Sequence, residues 1–146
     1  MPDYHTKDFF VNASITKIVS STGTSVLTVP SFNYKDQLLL RFTITDSTGA
    51  AVNLSGGSFE FKIVSSYSTQ NTLVTSANSK FVSGDWGSWS TSGGKICCRV
   101  DMNQAAVLTY IDNVKSKVGY CGLWATIGGV NYLLAQFNCN VANIIS

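Results

Sequence analysis

Four cysteines, a single histidine and three tryptophans carry the most distinctive chemistry in this 146-residue chain. Thiolates bind zinc or run disulfide exchange when they stand as C-x-x-C pairs, and Cys97, Cys98, Cys121 and Cys139 form no such pair. Cys97 and Cys98 are adjacent in a strand-like run, so their side chains point to opposite faces and at most one is expected in the core. Two readings stay open for the set: small buried thiols, or one inter-sheet disulfide from Cys97 or Cys98 to Cys121 or Cys139. A nucleophile of the Ser-His-Asp or Cys-His kind would have to use His5, which lies in a polar N-terminal segment. The carboxylates Asp3, Asp8, Asp36, Asp46, Glu60, Asp85, Asp101 and Asp112 show no pair spacing suited to acid–base work. No enzyme activity and no cofactor or metal is assigned, with loop calcium at Asp46 or Asp85 left open. Gly93-Gly94 and Gly128-Gly129 lack the lysine and the helix of a phosphate loop. Trp86 and Trp89, in SGDWGSWSTSGG, have two readings: they stack on the sugar rings of a surface glycan, or they anchor their own loop to the domain.

The solvent-facing composition narrows the partners. Charged residues make up 12% of the chain, about half of the ~25% usual for soluble proteins. Ser, Thr, Asn and Gly supply the polarity instead, which suits a protein packed into an assembly or one working outside a cell. The net charge is +2 and the cations are scattered, so no nucleic-acid partner is expected. No apolar run approaches the ~20 residues of a membrane helix, so no membrane insertion is expected. The opening MPDYHTKDFF has no basic region followed by an apolar stretch, and no secretory leader is read from it.

These residues must be positioned by strands. Residues 37–64 read QLLLRFTITDSTGAAVNLSGGSFEFKIV. Leu38, Leu40, Phe42 and Ile44 alternate on one face, then Phe59, Phe61 and Ile63 after a polar corner. Short strands are expected over 26–29, 73–74 and 81–82, with at least one hairpin inside the Ser/Thr-rich 65–94. Lys95 to Asp101 is strand-like, with Ile96, Cys98 and Val100 inward. One short helix is expected over about 102–115, with Asp101 and Gln104 as a capping box and Val107, Ile111 and Val114 on its buried face. Lys115 and Lys117 suit its C-terminal end and Gly119 can close it. Gly128-Gly129 joins two final strands. A two-residue turn there makes both hairpin faces apolar; a three-residue turn with a bulge moves Trp124, Tyr132 and Leu134 outside. The domain reading is a flexible N-terminal arm over 1–8 and one all-β, immunoglobulin-like antiparallel sandwich over 9–146. Interface candidates are Tyr4 on the arm, Phe9 and Phe10 where a first strand expected over 9–19 opens from it, and Trp124, Tyr132 and Leu134 on the hairpin.

The run Tyr34-Lys35-Asp36, Asp46 to Gly49, Leu54-Ser55-Gly56, Phe59-Phe61 and Gly119-Tyr120 resembles the immunoglobulin-like N-terminal domain of phage baseplate upper proteins and tail-fibre adaptors. The likeness spans residues 32–141. It implies a bacteriophage virion structural protein, made in the host cytoplasm, and does not imply which virion part; the leading expectation is the tail, baseplate or fibre-attachment apparatus. Such a protein binds other virion proteins, as a homo-oligomer or symmetric ring. A capsid decoration protein and a carbohydrate-binding module are the alternatives.

Overall fold

A computed structural model describes residues 5–20, 29–66, 71–75, 78–111 and 116–143. Ten strands and one helix follow one another: β1 His5–Asn12, β2 Lys17–Val19, β3 Ser31–Asn33, β4 Gln37–Thr45, β5 Ser58–Val64, β6 Thr72–Val74, β7 Ser79–Phe81, β8 Lys95–Asp101, α1 Ala105–Ile111, β9 Ser116–Ile127 and β10 Val130–Ala142. They form two five-stranded sheets, β2-β1-β4-β8-β7 and β3-β10-β9-β5-β6. The first is called the front sheet below and the second the back sheet.

Alternation explains the layering. Leu38, Leu40, Phe42 and Ile44 of β4 are fully buried, as are Phe61 and Ile63 of β5. The two strands lie in opposite sheets, so the corner between them carries the chain across the sandwich. Phe42 and Phe61 meet there at 6.1 Å between ring centroids. The corner is held by Asp46, whose carboxylate accepts from the Thr48 and Ala50 amides and the Thr48 hydroxyl. Gly49 and Gly56 take positive φ in its turns. The two sheets form an all-β sandwich, with one short helix late in the chain among the described residues. Among the described strands, β1–β4 and β3–β10 pair in parallel and the other pairings are antiparallel. The all-β sandwich expected from the sequence is present and mainly antiparallel, with these two parallel pairings added to it.

Several local expectations are revised. Residues 5–8, read as part of an arm, are the first half of β1, inserted between β2 and β4. Phe9, read as an interface residue, is buried and packs on Phe42 and Phe137, both at 5.6 Å. Its position directly opposite Phe42 in the parallel ladder turns it inward. Phe10 faces the other way and is half-buried. Tyr4 and residues 26–28 of the strand expected over 26–29 lie outside the described residues. The two strands described inside 65–94 do not form the hairpin expected there: β6 pairs back with β5, which precedes the segment, and β7 crosses to the front sheet. There the Ser79 hydroxyl donates to the Phe61 carbonyl at 2.6 Å, tying the two sheets at one edge.

The described part of the helix begins at Ala105, three residues later than expected, and residues 112–115 of the expected span lie outside the described residues. Val107 and Ile111 are buried on it as the periodicity requires. No capping box forms around Asp101, because Asp101 still belongs to β8. Its carboxylate accepts from the Asn103 amide, and the Gln104 side chain donates to the Asp101 carbonyl. The carbonyl of Gln104 accepts the first helical bonds, from Val107 and Leu108. Lys117 and Gly119 sit in β9, so neither ends the helix.

Candidate functional site

The final hairpin combines the two registers that the sequence left open. Ile127 pairs with Val130, so Gly128-Gly129 is a two-residue turn, with both glycines at positive φ. Pairing then shifts between Leu133 and Ala135, where Leu134 bulges out of register. The bulge reverses which residues face the core. Beyond it Ala135, Phe137, Cys139 and Val141 are buried with Cys121, Leu123 and Ala125. Leu134 itself is 4% exposed, so the outside position expected for it is not the one it takes. Tyr132, opposite Ala125 and three residues after the turn, is 50% exposed, as is Val130.

Trp124 occupies the outer face of the back sheet, between Glu60 on β5 and Leu133 on β10. Its indole lies down along β9. A Cβ at Gly122, two residues back on the same face, would stand 2.2 Å from the far end of the ring. Glycine in the strand is what gives the indole this position. Beside it is a depression of about 360 Å³ lined by Ser58, Phe59, Glu60, Trp124, Thr126 and Asn131. The Thr126 hydroxyl donates to Asn131 Oδ1 at 2.6 Å, and Lys62 lies 3.4 Å from Glu60. Of these lining residues, only Trp124 was an interface candidate in the sequence; Glu60 was read as a carboxylate without a partner for acid–base work, and Phe59 as a core residue. The signal that could have found the others is the Gly-x-Trp spacing on one strand face, with Glu60 on a neighbouring outward-facing phase.

The outer face of the front sheet is occupied differently. The segment after β7 folds over it through a 3-10 turn at Ser83–Asp85. Arg99 donates to both carboxylate oxygens of Asp85, with the Nη2 bond at 2.6 Å. Arg41 lies 5.5 Å over the Trp86 ring and donates to both oxygens of Asp8. That bond, against the cost of partial burial, raises the Arg41 pKa further. Trp89 packs edge-on against Phe59 at 6.2 Å. Trp86 and Trp89 thus both make contacts that hold their loop to the sandwich.

The thiols are free and buried, and no disulfide joins them. Cys98 faces the core. Cys97 faces the other way, yet it is buried as well, because the loop over the front sheet covers it; its thiol donates to the Val82 carbonyl at 3.3 Å. Burial raises the Cys97 pKa to about 11, with Asp85 adding to the effect. Burial also pushes Cys98 and Cys121 well up, the latter helped by its neighbour Cys139. Thiols so protonated are poor nucleophiles and poor metal ligands. Among the described residues, no cluster of three or more His, Cys, Asp or Glu side chains could hold a metal ion, and no helix is long and apolar enough to cross a membrane. His5 stands 3.4 Å from Asp36 at an exposed position.

Aromatic, hydroxyl, amide and carboxylate groups on an open sheet face suit non-covalent recognition, and this chain is a β-sandwich domain with such a face. No family model and no curated protein matches it. Among solved structures it is similar to the N-terminal domain of phage TP901-1 ORF48. The TM-score is 0.48 and the sequence identity 14%, over 94% of this chain and 99% of that one.

Proposed function

We propose that this chain is a bacteriophage virion structural protein of the tail, baseplate or fibre-attachment apparatus. It acts by binding other virion proteins rather than by catalysis, and copies of it act together in a ring or as an adaptor. The observation that carries the reading is the run of turn and strand residues resembling phage baseplate upper proteins. That run falls on the β3–β4 turn, the sheet-crossing corner and the start of β9. Lys35, Gly49 and Gly56 take the positive φ values of its turns, from 73° to 85°. The low charge of the chain supports the same reading, because weakly self-repelling surfaces pack closely. Docking is assigned to the hairpin end, where Val130 and Tyr132 expose apolar surface.

Mass spectrometry of gradient-purified particles tests this. The protein is expected at a fixed ratio to the other virion proteins, and Tyr132→Asp is expected to lower its incorporation severalfold while leaving the isolated protein folded. A protein that stays monomeric and is absent from particles overturns the reading.

A further inference from the structure

The depression beside Trp124 joins four kinds of group within one small volume. The indole, laid along β9 over Gly122, supplies apolar surface. Glu60 supplies hydrogen-bond acceptors, and Ser58 a hydroxyl that both donates and accepts. Asn131 is committed through its oxygen to the Thr126 hydroxyl, so the hydrogen bonds it can offer a ligand come from its NH₂ group. We propose that this depression binds a single neutral pyranose residue of a glycan.

The chemistry argues for that ligand in particular. A pyranose carries apolar C–H groups on its ring faces and adjacent hydroxyls at its rim. Each hydroxyl both donates and accepts, so a carboxylate and an amide NH₂ in one small site complement a vicinal pair. At about 360 Å³ the depression lies at the small end of ligand sites and suits one ring rather than a long chain. Acidic sugars and phosphates are disfavoured, because Glu60 lines the site and Lys62, beside it, already neighbours that carboxylate. Tyr132 and Val130 alternate with Asn131 on β10 and take the other face, so sugar binding and docking at the hairpin end use different surfaces. The inference stands independently of the virion reading.

The test is an amide-shift NMR titration of the whole chain with glucose, galactose and N-acetylglucosamine, with glucuronate as the acidic control. At least one neutral sugar is expected to shift the amides of 58–60, 124–126 and 131, and glucuronate to leave them in place. Glu60→Gln removes a hydrogen bond to a charged group and is expected to weaken binding about tenfold. Gly122→Val displaces the indole and is expected to abolish binding while the spectrum stays dispersed. Trp86→Ala is expected to change nothing at this site. The proposal is overturned by silence from all three neutral sugars, by equal shifts with glucuronate, or by unchanged affinity in Glu60→Gln.

Discussion

The two outer faces of the sandwich are built from similar residues and used in opposite ways. On the front sheet, Arg41, Arg99 and Cys97 are engaged by Asp8, by Trp86 and Asp85, and by the Val82 carbonyl. A face that would otherwise meet solvent is occupied by the chain's own loop. On the back sheet, Trp124 lies on Gly122 with Glu60 and Asn131 beside it, and a depression is left open. The difference teaches that an aromatic and a charge on a strand face do not by themselves mark a binding surface. What decides is whether the connection between strands is long enough to return and cover them. The segment between β7 and β8 is long enough; the Gly128-Gly129 turn between β9 and β10 is too short to cover anything.

Perturbing each face in turn sharpens this contrast, and the largest effect is expected from the buried thiols. Their folded pKa values are raised, so their stabilising contribution is complete below pH 9 and is lost as pH rises through the folded values. For Cys97 that window runs from 9.0 to about 11. Stability there is expected to fall by up to about 1.4 kcal/mol per pH unit for each thiol that ionises only on unfolding. Urea midpoints between pH 8 and 11 measure it. Cys97→Ala should remove only the front-face share, leaving the slope due to Cys98 and Cys121.

Next comes a pair of glycines. At Gly94, φ is +69° and an added Cβ would meet the Ile44 carbonyl oxygen at 2.3 Å, a backbone atom that cannot give way. Gly94→Ala is expected to cost about 3 kcal/mol. Gly122→Ala meets only the far end of a side chain that can swing, so a loss below about 1 kcal/mol is expected. Similar midpoints for the two variants would break the comparison.

Asp85→Ala leaves Arg99 without its bidentate partner, and a loss of about 1–2 kcal/mol is expected, with faster proteolysis at 82–89. Asp8→Ala removes a more exposed pair. About 0.5 kcal/mol is expected, and less at high salt.

Much of the fold was legible in local pattern. Period-two alternation placed the inward residues of β4, β5 and β8, and the helical period placed Val107 and Ile111. What the pattern could not contain is long-range. The insertion of β1 beside β4 depends on a parallel ladder between segments more than thirty residues apart. Such pairing leaves no turn residue in the sequence to announce it, so Phe9 looked like an interface residue. The bulge at Leu134 has a similar cause. A one-residue slip reverses every later side chain, and neither composition nor turn type says where along a strand it falls. The glycan-stacking reading of Trp86 and Trp89 rested on residue type, which says nothing of Arg41 or Phe59. Trp124 was an interface candidate, but the groups around it come from three strands and were not.

Under the proposed virion role, the hairpin end of the back sheet, and not the covered front sheet, is expected to meet other virion proteins. Photo-crosslinking in intact particles tests it most directly, with the probe placed at position 132 or, for comparison, at position 80 on β7. The account predicts adducts to another virion protein from position 132 and none from position 80. Adducts from position 80 alone, or particles lacking the protein, would contradict it.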